Sequence, residues 1–363
     1  MRLPKIDHFG LNINKKKEAN KMGRDKRSKY KKTLYEQAYM RLEKMKSFGE
    51  SKKAAKADGT MKDKIFSVST YKNYKKHVKY FIHYIERNHP ECTTLKAAKK
   101  YVKEWLQLRT EQVNEHGEHL SAWTIQLEAA ALNKLYQIDV ADVGRFQSPK
   151  RRKEDIKRSR GKKANDVHFS EVKNQELVDF CKACGFRRNV LERLKGSDLM
   201  ERKDVEEALS KARKENDQKM IKACTDALTT FPDKEYFILH RQDKGGKSRV
   251  SPIVGPHMMD VVERMRSTPP GQRVWGHVSK ACDVHGYRSD YATMLYRQYA
   301  RPIEQLDYKK KMLCADGKMR SEIYACRGDD VGKKLDRAAI HVISIALGHN
   351  REDTAIASYV RNL

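Results

Sequence analysis

Wherever apolar residues cluster in this chain, most of them recur at helical spacing. In KYKKTLYEQAYMRLEKMKSFG, Leu34, Ala38, Leu42 and Met45 fall on one stripe, and Gly49 follows where a C-terminal cap would stand. From Ser69, STYKNYKKHVKYFIHYIER sets Tyr71, Tyr74, Val78, Phe81, Ile82 and Ile85 on one face and lysines on the other. Two more amphipathic stretches follow, LKAAKKYVKEWLQLR and SAWTIQLEAAALNKLYQI, the second with Ser121 placed to cap its N-terminus. Together they predict a small helical domain with cationic faces that ends near Asp142.

The pattern then stops. QSPKRRKEDIKRSRGKKANDVH, residues 147–168, is almost entirely charged and polar and predicts a basic interdomain linker. Helical spacing resumes after Phe169 in SEVKNQELVDFCKACGF and in the strongly charged KDVEEALSKARKENDQKMIKACTDALTTF. The one convincing strand signal is EYFILHRQDKGGKSRVSPIV, two runs of β-formers around a Lys-Gly-Gly-Lys turn, which predicts a β-hairpin. The expected fold class is therefore mainly α with a small β-hairpin or sheet (α+β). The expected organisation is a basic N-terminal region over 1–60, a helical domain over 61–146, the linker over 147–168 and a second domain over 169–363.

Charge adds a function class. The 363 residues hold 77 Lys+Arg against 48 Asp+Glu, a formal net charge of +29, with 17 Tyr partly interleaved among the lysines. Such a surplus costs self-repulsion in a compact chain unless a polyanion relieves it, so it predicts binding to nucleic acid. Residues 1 to about 30 read as a basic arm that could contact DNA. Neither an RNP-type aromatic motif nor a zinc knuckle is visible, which argues against an RNA-binding role. The N-terminus MRLPKIDHFGLNINKKK has no apolar run of the kind a signal peptide needs, and no stretch reaches the length of a membrane-spanning helix. With seven cysteines, an odd number, these features predict a cytoplasmic protein with reduced thiols and no membrane association. The Cys181-Lys-Ala-Cys184 spacing lacks a second cysteine pair, so no metal and no cofactor is expected.

Four polar clusters in the second domain carry candidate chemistry: CGFRRNVLERLKGSDL, HRQDKGGKSRVSPI, VHGYRSDYATMLY and LGHNREDTAIASYV. Taken singly, each basic residue in them is more often solvated surface in so basic a chain. Taken in order, the clusters resemble the tyrosine recombinase (phage integrase) family. That family has an Arg in a Gly-x-Arg turn, a Lys in a β-hairpin, a His-x-x-Arg at a helix start, a Leu-Gly-His turn and a Tyr near the C-terminus. Gly185-Phe186-Arg187 matches the first, Lys244 the second, His285-Gly286-Tyr287-Arg288 the third, and Leu347-Gly348-His349 with Tyr359 the last two. The resemblance spans about Phe169 to Tyr359, and more loosely the helical domain, which is similar to the family's core-binding domain.

The resemblance implies a site-specific DNA recombinase of an integrating or excising mobile element. It implies Tyr359 as nucleophile, forming a 3′-phosphotyrosine, and Arg187 and Arg288 as clamps on the phosphate oxygens. Lys244 would protonate the 5′ leaving oxygen, His285 would move a proton with the tyrosine, and His349 would donate to the phosphate. It further implies double-stranded DNA as partner, two domains on opposite faces of the duplex, four protomers synapsed around a Holliday junction, and accessory DNA-bending proteins. The residue types suit metal-independent phosphodiester cleavage, which needs a nucleophile, cations on the non-bridging oxygens and an acid for the leaving group. The alternatives are a type IB topoisomerase-like activity and a non-catalytic DNA-binding protein that keeps the fold.

The chain departs from the family in the long segments between Arg187 and Lys244 and between Arg288 and His349. Both are expected as insertions outside the active site that contact DNA or other protomers. Only Val360 to Leu363 follow the tyrosine, where the family usually carries a longer tail. Arg188, His341, Lys247 and Arg249 are expected outside the catalytic set, the last two as DNA-backbone contacts.

Overall fold

The computed structural model describes residues 32–152, 155, 169–243, 247–314, 317–349 and 352–359. The basic arm through residue 31, most of the 147–168 linker, Lys244 in the hairpin turn and the residues after Tyr359 lie outside the described residues. The chain divides into two units, 1–150 and 151–363, each with its own core.

In the first unit, α1 (Leu34–Lys44), α2 (Lys52–Ala57), α3 (Val68–Asn88), α4 (Leu95–Ala98), α5 (Val102–Glu111) and α6 (Ala122–Tyr136) follow one another with short connections. Side chains start these helices where the polar pattern places them. Thr33 and Glu36 form a capping box at α1, and the Ser121 hydroxyl accepts from the Thr124 N–H at α6. The stripe of α3 buries Tyr71, Val78, Phe81, Ile82 and Ile85 against Leu132 and Leu135 of α6 and Trp105 and Leu106 of α5, with Tyr74 half-buried. Its other face leaves Lys72, Lys76 and Lys79 exposed, while Lys75 lies over the Tyr39 ring at 4.3 Å.

α1 ends at Lys44 and not at Gly49, because Met45 closes it as C-cap and Lys46 bridges to Ile65. α1 also buries Leu34, Ala38 and Leu42 in the same core as α3 and α6, so it belongs to the helical body and not to a separate N-terminal appendage.

The second unit begins with α7 (Gln175–Cys184) and α8 (Arg188–Leu191), then β1 (Leu199–Glu201), α9 (Arg202–Lys214) and α10 (Gln218–Thr230). The hairpin β2 (Tyr236–Asp243) and β3 (Lys247–Pro252) follows, then α11 (Met258–Ser267) and α12 (Val284–Tyr299). Short strands β4 (Lys311–Leu313), β5 (Met319–Ser321), β6 (Ile323–Ala325) and β7 (Lys334–Asp336) lead into α13 (Arg337–Ala346) and α14 (Glu352–Ser358). The unit is thus mainly helical with small antiparallel sheets, β1-β2-β3 and the pairs β4-β5 and β6-β7.

The three-stranded sheet separates two cores. Phe237, Leu239 and Val250 point to one side, where they join Val205, Cys224 and Phe231 of the 203–231 segment with Ile340, Ile343 and Tyr359. Ile238 and Ile253 join the other, with Phe180, Phe186, Leu191 and Tyr287. The segment 203–231, expected as an accessory insertion, is therefore part of the main core, to which it gives Val205, Leu209, Ala223, Cys224, Ala227 and Phe231. Its apolar residues at helical spacing had no other surface to cover. The strands β4 to β7 were not expected. At three residues each, with lysines among them, they are too short to show a period of two. Among the described residues no helix is long and apolar enough to cross a membrane.

Candidate active site

The Gly-x-Arg turn is built by sterics. α7 stops at Gly185, whose φ of +61° is the left-handed conformation that glycine adopts without strain, and a Cβ there would stand 2.3 Å from the Tyr291 ring. Phe186 then turns inward and stacks on Phe180 at 5.6 Å, so the next residue, Arg187, faces out of the core. Arg187 precedes α8 with extended backbone and pairs with the buried carboxylate of Asp243 at the end of β2. Its neighbour Arg188 has a different task, donating to the carbonyls of Ser279 at 2.9 Å and Cys282 at 2.5 Å and so pinning the loop before α12.

Arg288 sits on α12, one turn in, and is fully buried. Its guanidinium forks between the Gly185 carbonyl and the Leu347 carbonyl, the latter at 2.6 Å, which ties the first arginine turn to the Leu-Gly-His turn. Burial and then the neighbouring Arg187 pull Arg288 down to about 10, so it stays charged at neutral pH. His285, three residues earlier in the first turn of α12, is exposed.

The second turn follows α13. Leu347 caps that helix and Gly348 takes φ +65°, where a Cβ would meet Arg249 Cδ at 2.8 Å. His349 is then fixed through both main-chain groups, its N–H donating to Ser344 O at 2.7 Å and its carbonyl accepting from Ser344 Oγ at 3.0 Å. The short helix α14 leads back, and Tyr359, 5% exposed, follows its last residue. Tyr359 N–H donates to Ala355 O at 2.9 Å and its carbonyl accepts from Ser289 Oγ, one residue past Arg288. The Arg288 guanidinium lies 5.1 Å from the centre of the Tyr359 ring, and the His349 ring lies 5.3 Å from it.

Four of the six expected residues, Arg187, Arg288, His349 and Tyr359, thus converge from four separate parts of the unit. Arg249 and Asp243, neither in the expected catalytic set, join them. Arg249 is expected at the DNA backbone, but it is 5% exposed. It donates to the Ala346 carbonyl, meets His240 Nδ1 at 2.7 Å and lies 3.6 Å from Asp243. Burial, with Arg288 next, lowers Arg249 to about 9. The hairpin register explains this placement, since His240 pairs with Arg249 and Ile238 with Ser251, so all four share the sheet face that carries Ile238 into the core. Asp243, beside Lys244, supplies the countercharge to both arginines.

Buried nitrogens of the site lack hydrogen-bond partners, Arg249 Nε among them. Among the described residues, Arg288 Nε and His349 Nε2 are buried without a hydrogen-bond partner. Buried polar groups of native proteins are nearly always paired, so these mark a place for a further acceptor. Burial, then Arg288, Arg187 and Arg249, push His349 down to about 3, which keeps its imidazole neutral with a single N–H to donate. Cys181 and Cys184 lie in the second core with fully buried thiols that burial pushes up. No group of three or more His, Cys, Asp or Glu stands close enough among the described residues to hold a metal ion.

The depressed histidine gives a stability prediction. An unfolded histidine binds a proton below its ordinary 6.5, whereas folded His349 does so only near 3. The unfolded chain therefore binds more protons across that window, and stability falls as pH drops from 6.5 towards 3. His240, buried and likewise lowered, acts in the same direction. Denaturant unfolding followed from pH 7 to pH 4.5 is expected to show a shallower loss for His349→Gln than for wild type. Parallel curves would contradict the neutral buried imidazole.

Neither a scan of protein-family models nor a search of curated proteins returns a match to this chain.

Proposed function

We propose that this chain is a tyrosine recombinase of the phage integrase type, which breaks and rejoins duplex DNA through a 3′-phosphotyrosine at Tyr359. The observation that carries this reading is the stacking of a buried, charged Arg288 on the Tyr359 ring, with Arg187 and His349 beside them and buried donors left unpaired. A tyrosine packed among guanidiniums and a neutral imidazole suits attack on an anionic, tetrahedral centre that would bring the missing acceptors. The net charge of +29 suits a polyanionic substrate.

In the proposed reaction, Tyr359 Oη attacks the scissile phosphorus and the bond from phosphorus to the 5′ oxygen breaks. The phenolic proton passes to His285, and Lys244 in the β2-β3 turn gives a proton to the departing oxygen. Arg187 and Arg288 hold the non-bridging oxygens of the pentacoordinate state by forked hydrogen bonds, which planar guanidinium does better than ammonium. His349 adds its single N–H. The phosphotyrosine keeps the bond energy, so attack by a 5′ hydroxyl of a partner strand rejoins the backbone. Four protomers on two sites would exchange strands through a Holliday junction. Under this reading the helical unit is the core-binding domain and the 169–363 region the catalytic domain.

The test is a covalent adduct. Nicked duplexes drawn from DNA flanking the gene for this chain are incubated with protein in EDTA and resolved on a denaturing gel. A shifted protein-DNA band that survives EDTA is expected. Stable binding of the same duplexes with no adduct would reduce the reading to a DNA-binding protein with a dormant site.

A further inference from the structure

The segment between α12 and α13 has no part in the chemistry above, yet it ends on the residue that holds the nucleophile's helix. Arg337 opens α13 and Glu352 opens α14, so the two stand on either side of the Leu347-Gly348-His349 turn. Arg337 Nη1 meets Glu352 Oε2 at 2.7 Å, with the two side chains only 10% and 7% exposed. The rest of the arginine is spent on the β5-β6 junction. Its Nε donates to Ser321 O, its Nη2 to Ile323 O at 3.4 Å and its backbone N–H to Glu322 O at 2.8 Å.

That junction is itself closed at its base. Arg301, just after α12, forks onto Asp336 at 2.8 and 2.9 Å and reaches Glu322 at 3.3 Å. Asp336 in turn caps α13 through the Ala338 N–H at 2.9 Å. The 301–336 segment is thus a braced platform with one arginine aimed at α14. α14 spans seven residues and cannot hold its shape alone. Besides the Arg337 pair it is retained by Ala355 and Ile356 in the core and by the Ser289 bond to the Tyr359 carbonyl.

We propose that the 301–336 segment is the dock for the nucleophile's helix: Arg337, oriented by the Ser321 and Ile323 carbonyls, holds Glu352 and so keeps Tyr359 against Arg288 and His349 of its own chain. This rests on the reading of Tyr359 as nucleophile. Arg337 and Glu352 are positioning residues that do not touch the phosphate. The dock assigns the extra length between Arg288 and His349 a task in cis delivery of the tyrosine, in place of contacts with DNA or other protomers.

The experiment uses the full chain and three variants, Glu352→Gln, Arg337→Met and the conservative Arg337→Lys. Amide hydrogen exchange read by mass spectrometry follows 352–359 beside α12, and adduct formation is timed at saturating nicked duplex. Glu352→Gln and Arg337→Met are expected to speed exchange over 352–359 about tenfold or more while α12 keeps its protection. The same two variants are expected to slow adduct formation about tenfold, with DNA affinity within about twofold of wild type, and Arg337→Lys, which keeps the charge on Glu352 but not the fork to the Ser321 and Ile323 carbonyls, to fall between them and wild type in both properties. Unchanged exchange over 352–359 in both charge-removing variants would overturn the dock, as would loosening that spreads equally to α12. Exchange needs no catalysis. If wild type forms no adduct, the recombinase reading fails while the dock is still decided by the exchange data.

Discussion

Tyr359→Phe is expected to lower covalent adduct formation by about 10⁴-fold or more while DNA affinity stays within about twofold. The substitution removes one oxygen and leaves the ring. The ring makes the packing contacts, 5.1 Å from Arg288 and 5.3 Å from His349, and the main chain holds the Ser289 and Ala355 bonds. The folded unit should therefore survive, with the Arg288 guanidinium still over the ring. Affinity for DNA comes mostly from counterion release at lysines and arginines, none of which changes. Filter binding and adduct yield measured on one duplex separate the two effects. An adduct from the Phe variant would require another nucleophile.

Arg288→Lys is expected to cut the rate of adduct formation about 10²- to 10³-fold, again with a small effect on affinity. The wild-type guanidinium does three things at once. It forks between the carbonyls of Gly185 and Leu347, contacts Tyr359, and keeps Nε unpaired. An ammonium keeps the charge but cannot span the two carbonyls and a phosphate oxygen in one plane. Arg288→Ala is the less informative change, because it strands two buried carbonyls and lowers stability by about 1–3 kcal/mol before any chemistry is tested. Timed adduct formation by Arg288→Lys at wild-type rate would remove the fork from the mechanism.

The helical unit was legible because its stripes are long. Tyr71, Val78, Phe81, Ile82 and Ile85 recur along the 21 residues of α3, and Ser121 caps where a hydroxyl precedes an apolar run. The end of α1 was not, because Gly49 has the positive φ that marks a cap but lies beyond a bridge formed by Lys46 and Ile65. In the second unit, the glycines of both turns point to their site residues for a steric reason: only glycine fits against Tyr291 at 185 and against Arg249 at 348. Arg249 is expected at the DNA backbone and Asp243 draws no expectation because, in a chain with 77 Lys+Arg, a charged residue near a turn reads as surface. The signal was the alternation in SRVSPI, where Arg249 and Ser251 share the sheet face of Ile238 once the register is known. The 203–231 helices were read as an accessory because their charge outweighs their stripe. Val205, Leu209, Cys224 and Ala227 nevertheless cover one side of the sheet.

Covalent joining of DNA to Tyr359 is tested by finding the joined residue. A nicked duplex labelled at one strand's 5′ end is reacted with wild-type protein, the adduct is digested with protease and nuclease, and the modified peptide is sequenced by mass spectrometry. The 5′-labelled fragment is expected to stay on the protein, as a 3′-phosphate linkage requires, with the modification on Tyr359. Attachment through a 5′ phosphate, or to any residue other than Tyr359, would contradict it.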